Sequence, residues 1–184
     1  MYGATTGESG RLLPRLRRTF PRAMALVDDA ARVGEDGATV STWLGRTSPP
    51  PEEAWRRAQS AASEPDVDDS TRDRARRWAR ERGRFTRNFV VQGTAAEWAL
   101  AWLADLRVRL AAVPPVAEGE SAPRSGPAFQ SQPHLAFFLH DEVIVHTPVT
   151  HAETVAQLVQ ESAARAASIL FGGFPIDFPL DVRI

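Results

Sequence analysis

The stretch Leu135–Val145 reads LAFFLHDEVIV, in which two apolar runs are separated by His140-Asp141-Glu142. Apolar runs rich in aromatic and β-branched residues on either side of a short polar break are typical of two antiparallel strands joined by a tight turn. We therefore predict a β-hairpin formed by Leu135–Leu139 and Val143–Val145, with acidic side chains at its tip.

Helical periodicity precedes the predicted hairpin. Apolar residues three and four apart predict two short helices within Leu12–Val33, because two prolines interrupt the run. Pro49-Pro50-Pro51 precedes a predicted short helix over Glu52–Ala62, and Asp69 or Ser70 can cap the long helical region that follows.

Two further helices are predicted from capping signals. Gly93 indicates a break or a bend in the long helical region, and Thr94-Ala95-Ala96-Glu97 has the form of a capping box that starts a new, mostly apolar helix. Thr150-His151-Ala152-Glu153 has the same form, and Gly172-Gly173 ends the helix that it starts.

The remaining segments complete the predicted fold. Ala38–Leu44 alternates in the manner of a short strand, and Leu180–Ile184 predicts a last strand. Pro114–Pro133 is rich in proline, glycine and serine and predicts a flexible surface loop. This order of elements indicates an α+β fold, in which a small antiparallel sheet with a β-hairpin packs against several helices.

The composition excludes several kinds of site. The chain has 184 residues, a formal net charge of −1 and no cysteine, which excludes disulfides and a thiol nucleophile. All 22 basic residues are arginine, so no lysine is available as a Schiff base. No apolar run approaches the roughly 20 residues of a membrane span, and no secretory signal lies near Met1. We expect a cytoplasmic protein without a membrane partner.

Arginine is concentrated between Thr71 and Arg87, where the chain has eight arginines and two acids. Because phosphate binding depends on the local field, this segment indicates a nucleic-acid surface despite the near-neutral total charge. A solvated helix face is the alternative interpretation. The eight residues are Arg72, Arg74, Arg76, Arg77, Arg80, Arg82, Arg84 and Arg87.

Polar side chains recur every four residues along this segment. Arg84, Asn88 and Gln92 share one face of a helix and continue a row of arginines that reaches Arg80. Arginine binds phosphates or base acceptors with two hydrogen bonds, and the two amides offer both a donor and an acceptor to base edges. The row predicts a face that binds DNA, with an ordinary polar surface as the alternative.

The acids of the hairpin tip are candidate metal ligands. Hard cations such as Mg²⁺ take carboxylate oxygens and keep waters for substrate phosphates. Adjacent strand residues point to opposite faces, so we give Asp141 the ligand role and Glu142 a secondary one. The alternative is that both acids only solvate a turn. A zinc site built from His140, His146 and His151 with Glu153 is a weaker possibility.

Two segments resemble the C-terminal palm of family A DNA polymerases, the bacterial DNA polymerase I type. They are RFTRNFVVQGTAAE at residues 84–97 and LHDEVIVHTP at residues 139–148. Tyr2-Gly3 resembles the end of the fingers helix (motif B), and Thr19-Phe20-Pro21 resembles the helical turn that follows. Thr42–Arg46, TWLGR, is similar to a threonine-x-x-glycine-arginine strand of the family. The resemblance covers nearly the whole chain.

The resemblance implies a role for each matching residue. Asp141 would be the metal-binding aspartate of motif C, with His140 and Glu142 beside the primer terminus. Tyr2 would lie beside the incoming nucleotide. The residues that would contact the template–primer DNA are Arg84, Asn88, Gln92, Arg80 and Arg46.

The resemblance also implies a reaction and an organisation of the chain. A primer 3′-hydroxyl would attack the α-phosphate of a dNTP with Mg²⁺ bound at Asp141 and Glu142, in a protein of the bacterial nucleoid. Residues 1–70 would lead from fingers to palm, 71–113 would form DNA-contacting helices, 114–133 would form the flexible loop, and 134–184 would complete the palm.

Some parts of the family's pattern have no match in the sequence. These are the motif A aspartate, the arginine and lysine that hold the triphosphate, and the thumb. We therefore expect residues 1–184 to be the C-terminal part of a polymerase domain, inactive alone, whose partner is the missing N-terminal half. The alternatives are a noncatalytic DNA-binding remnant and, more weakly, an unrelated metal-dependent hydrolase.

Overall fold

A computed structural model describes residues 6–127 and 129–184 of the chain. It divides the chain into two compact units, Met1–Thr94 and Ala95–Ile184. The regular elements of the described residues are α1 (Thr6–Thr19), α2 (Pro21–Glu35), α3 (Glu53–Ala62), α4 (Asp69–Ala111), β1 (His134–Leu139), β2 (Glu142–His146) and α5 (Ala152–Phe171). No helix among these residues is both long and apolar enough to span a membrane.

The first two helices confirm the interruption expected from proline. Pro21 occupies the first turn of α2, where its missing N–H removes no helical hydrogen bond, and the two helices separate at Phe20. Pro14, by contrast, lies inside α1 without ending it. An ion pair of 2.9 Å between Arg17 and Asp28 joins the two helices.

Helix α4 begins at Asp69 and is capped by Asp68, one residue before the first of the two predicted caps, Asp69 and Ser70. The Asp68 carboxylate accepts hydrogen bonds from the hydroxyls of Ser70 and Thr71 and from the Thr71 N–H, the last at 2.9 Å. These bonds satisfy a helix N–H that has no partner within the helix. The hydrogen bond from the Ser70 hydroxyl, followed by those from Thr71, holds the pKa of Asp68 well below its ordinary value.

Helices α2 and α4 approach each other closely at two glycines. A Cβ added to Gly34 would lie 2.0 Å from Thr86 Oγ1, and one added to Gly83 would lie 2.9 Å from the Ala31 carbonyl oxygen. The fully buried Thr86 hydroxyl donates a hydrogen bond of 2.7 Å to the Ala30 carbonyl. Because Gly34 and Gly83 have no side chains, the two backbones can meet here. The face of α4 that carries Gly83 and Thr86 is therefore the buried one.

The predicted strand Ala38–Leu44 leads into a tight turn in the structure. Thr42 and Arg46 are joined by a backbone hydrogen bond of 2.9 Å, and one isolated bridge pairs Ser41 with Thr47. Gly45 has a φ of 84° within this turn, a conformation that glycine adopts without strain. The strand prediction was wrong because the alternation is followed at once by a chain reversal.

Of the break or bend predicted at Gly93, the break is wrong, because α4 runs unbroken through this residue. The buried side chain of Thr42 occupies the space that a Cβ at Gly93 would need, 2.5 Å from that position. Thr94 therefore lies inside the helix, where its hydroxyl donates to the Val90 carbonyl at 2.8 Å and accepts the Trp43 N–H at 3.1 Å. The expected DNA-contacting helices of residues 71–113 are one helix.

The core of the second unit lies between the last turns of α4 and one face that runs the whole length of α5. Trp102 and Leu106 are almost fully buried, and burial of each contributes roughly 1.5–3 kcal/mol. The indole N–H of Trp102 donates to the Val159 carbonyl at 3.1 Å. The other buried apolar members are Trp98, Ala99, Leu110, Val155, Val159, Ala163, Ala166 and Leu170.

The β-hairpin is confirmed as a two-stranded antiparallel sheet. A bulge at Ala136 lies between the pair Leu135–Val145 and the next pair, Phe137–Ile144. Leu135, Val143 and Val145 pack against the core of the second unit, whereas Phe137 and Ile144 are exposed. The α+β prediction is therefore confirmed at the level of a small antiparallel sheet on helices.

Three other predictions of the second unit meet different outcomes. Leu180–Ile184 forms no strand, although Leu180 and Val182 pack against the core. Helix α5 ends at Gly172 as predicted, but His151 lies at its N-cap without a side-chain cap, so the second capping box was wrong. The predicted loop contains two short 3₁₀ turns and no strand or α-helix among its described residues.

Candidate functional site

The polar row lies on the exposed side of α4. Arg80, Arg84, Asn88 and Gln92 are all exposed. The opposite side of the helix carries buried Thr86 and Gly83, which pack against α2. At a rise of about 1.5 Å per residue, the row from Arg80 to Gln92 is roughly 18 Å long.

Most of the arginine cluster is available to an anion. Arg76 and Arg84 make only long ion pairs with acids of their own helix, 3.7 Å to Asp73 and 3.9 Å to Glu81, both exposed. Exposed pairs of this kind contribute little stability. Among the described residues, no ion pair engages Arg74, Arg77, Arg80 or Arg87.

Arg82 is a different kind of residue from its neighbours. Its Nη2 donates to the carbonyls of Ala38 at 3.1 Å and Pro49 at 3.0 Å. Burial, together with the nearby positive charge of Arg56, lowers the pKa of Arg82 from its ordinary value. Arg82 therefore fastens the 38–49 segment to α4 through Nη2, and its part in phosphate binding stays a prediction.

The turn at Thr42–Arg46 brings two more side chains to the first unit's α4 surface. Arg46 donates from Nη2 to the Gly93 carbonyl at 3.2 Å, next to Gln92 in the row. Trp43 lies in the same turn with 63% of its surface exposed. A large exposed indole beside basic and amide groups suits stacking on a nucleobase. Sequence reasoning noted Trp43 only as part of a motif, although a tryptophan in a polar turn is itself a signal of a binding surface.

The hairpin tip presents Asp141 on a strained turn. The turn consists of His140 and Asp141, since Leu139 pairs with Glu142. His140 has a φ of 55°, and no other non-glycine residue of the described chain has a positive φ. A positive φ at this position favours glycine, which has no Cβ to clash with the backbone. A side chain in the left-handed region costs roughly 1–2 kcal/mol.

The two acids of the tip are compatible with a hard cation. Asp141 and Glu142 are both exposed and offer carboxylate oxygens, the ligand atoms of Mg²⁺, which keeps several waters. Among the described residues, no group of three or more acidic or histidine side chains comes together as a metal-holding cluster. The donor set therefore fits one hydrated ion, and a second ion would need further ligands.

The zinc alternative is contradicted by the hairpin register. His140 lies in the turn, whereas His146 pairs with His134 at the opposite end of the strands. His151 makes a hydrogen bond of 3.0 Å to the Pro114 carbonyl. These histidines therefore do not form one site.

The candidate residues are divided between the two units. Arg46, Arg80, Arg84, Asn88 and Gln92 belong to the first unit, and the hairpin tip belongs to the second. That they face one common site stays a prediction. The expected nucleotide contact, Tyr2, lies outside the described residues.

Comparison of the chain with models of protein families finds no match. Comparison with curated proteins finds none either. The resemblance to family A polymerases therefore depends on the two segments and the shorter motifs quoted above.

Proposed function

We propose that the chain takes part in DNA-templated DNA synthesis as the C-terminal palm part of a family A DNA polymerase. In this proposal α4 binds template–primer DNA and the hairpin tip contributes a ligand for magnesium. The observation that carries the proposal is the exposed row Arg80, Arg84, Asn88 and Gln92, in the order that the resemblance requires.

The chemistry of the row supports binding to a duplex. The arginines offer paired donors to phosphate oxygens, and these contacts position a protein on DNA without reading its sequence. Asn88 and Gln92 each offer a donor and an acceptor, which suits base edges in a groove. Along this face arginines are followed by amides, which matches a surface that binds the DNA phosphate backbone at one end and base pairs at the other.

The hairpin supports the second part of the proposal. Pairing of the strands on both sides holds the turn in place, so Asp141 is presented from a rigid element. When bound at Asp141 and Glu142, Mg²⁺ would supply positive charge to a phosphate. The side chain of His140 lies next to Asp141 in the same turn and would contact the primer terminus in the family's arrangement.

A noncatalytic DNA-binding remnant is the second candidate function. The observation that favours it is the contrast between a long exposed row and a metal-ligand set of only two carboxylates among the described residues. Two-metal phosphoryl transfer needs acids that hold both ions. The remnant would bind DNA through α4 and extend no primer in any combination.

Primer extension separates these two functions. The chain is incubated with Mg²⁺, dNTPs and a primer–template, alone and mixed with a polypeptide that carries the fingers and motif A of a family A polymerase. We expect DNA binding but no extension by the chain alone, and extension by the mixture. Asp141→Asn should abolish that extension without changing the affinity for DNA.

The matched control is Asp177→Asn, which removes an exposed acid elsewhere in the second unit. It should leave extension unchanged. Extension by the chain alone would overturn the expectation that further residues are needed. Near-normal extension by the Asp141 variant would remove this residue from the metal site, and binding without extension in every mixture would support the remnant.

A further inference from the structure

The open end of the hairpin holds a pair of histidines that the proposed function does not use. His134 and His146 are directly opposite each other on β1 and β2. Their ring centres are 5.1 Å apart and the ring planes cross at 79°. His146 is exposed and His134 is half-buried, so a small solute can reach the pair.

Each ring is oriented by a hydrogen bond at Nδ1. His134 Nδ1 lies 3.2 Å from the Gln132 carbonyl oxygen, which only accepts, so Nδ1 carries the proton and Nε2 of the neutral ring keeps its lone pair. His146 Nδ1 lies 3.3 Å from Ser125 Oγ, a hydroxyl that can accept in the same way. Metal-binding histidines usually donate their second ring N–H to a carbonyl or another oxygen.

The ring separation matches two imidazoles on one metal ion. With a Zn–N distance of about 2.0–2.1 Å, about 1.2 Å more from nitrogen to ring centre and a tetrahedral angle, the two centres would be about 5 Å apart. The observed 5.1 Å is close to this value, and it is also the distance of an ordinary edge-to-face ring contact, so the zinc titration below distinguishes the two. Phe129 packs against His134 at 4.7 Å between ring centres and limits its movement.

We propose that His134 and His146 form a binding site for a zinc-like divalent ion, with water completing the coordination. Zinc is bound by neutral imidazole nitrogens, and the Nδ1 hydrogen bonds leave Nε2 of each ring as the nitrogen that can bind the ion. Because Gln132 and Ser125 belong to the loop that precedes β1, the bound ion would hold this loop on the hairpin. The site is independent of DNA binding and of Asp141.

Zinc titration of the full chain tests the proposal. Isothermal calorimetry with ZnCl₂ should show one site that saturates below about 1 mM, and NMR should show the Nε2 resonances of these two histidines shifting together. His134→Gln and His146→Gln should each weaken binding at least tenfold. Ser125→Ala should weaken it about 10-fold or more through loss of the Nδ1 hydrogen bond.

The control is His151→Gln, which removes a histidine that lies elsewhere and bonds to Pro114. It should leave zinc affinity unchanged. The proposal is overturned if zinc binds no more tightly to the natural chain than to the His134 and His146 variants, or if the NMR shifts occur at His140 or His151. Circular dichroism of each variant establishes that it is folded, and the NMR titration needs no variant.

Discussion

The salt dependence of DNA binding gives the most direct test of the α4 surface. Four exposed arginines lie on one side of the helix with a spacing of four, four and three residues. They are Arg76, Arg80, Arg84 and Arg87. Each phosphate that an arginine neutralises adds about −0.9 to the slope of log K against log salt. Four contacts give a slope of about −3.6, so affinity should fall about 150-fold between 50 and 200 mM salt.

The perturbation is the double variant Arg80→Ala and Arg84→Ala. Its slope should fall to about −1.8, and the loss of affinity over the same salt range should shrink to about 12-fold. Fluorescence anisotropy of a labelled primer–template at several salt concentrations measures both slopes. Both arginines are exposed, so the fold should be unchanged.

The control changes the net charge equally without touching the row. Arg57 on α3 and Arg183 near Ile184 are exposed and pair with Glu53 and Asp181. The double variant of these two to alanine should retain a slope of about −3.6. Equal slopes for the two double variants would refute the α4 surface, because the salt dependence would then report only total charge.

The remaining predictions concern the framework that holds these surfaces. Gly34→Ala should lower the free energy of unfolding by about 1–3 kcal/mol because its Cβ meets Thr86. Gly10→Ala, in open space on α1, should raise it by about 0.5–1 kcal/mol. Chemical denaturation measures both changes. His140→Gly should raise the free energy of unfolding by up to about 1 kcal/mol by relieving the left-handed residue; a loss would show that the turn is unstrained. Since the pKa of Asp68 is lowered by folding, its stabilisation is complete above the ordinary value of 3.8 and is lost as pH falls through the lower folded value. The Tm difference between the natural chain and Asp68→Asn should therefore shrink as the pH falls below 3.8. A difference that stays constant with pH would contradict the cap.

The hairpin could be predicted from the sequence because its signal is local. Two apolar runs on either side of His140 and Asp141 define both strands and the turn. The Gly93 prediction failed for the opposite reason. A glycine in a helical pattern indicates a break, whereas here its missing side chain makes room for Thr42, which lies about fifty residues earlier in the chain. Contacts of that separation leave no mark in a local pattern.

In the candidate site, too, features with a local sequence signal could be predicted, whereas features that depend on residues far apart in the chain could not. The exposed row from Arg80 to Gln92 follows from helical spacing alone, and the structure places these side chains on the exposed side. Arg82 could not be distinguished from its neighbours, because its role depends on the carbonyls of Ala38 and Pro49. The His134–His146 pair likewise becomes visible only once the strand register is known.

The close crossing of α2 and α4 has a consequence for how this surface can evolve. Gly34 and Gly83 allow the two backbones to meet, and Thr86 locks them by a hydrogen bond. Adding a methyl group at either glycine would turn α4 about its axis or push it away, and every side chain on the outer face would move with it. The direction of the basic face thus depends on buried, uncharged positions, and a mutational screen restricted to charged residues would overlook them.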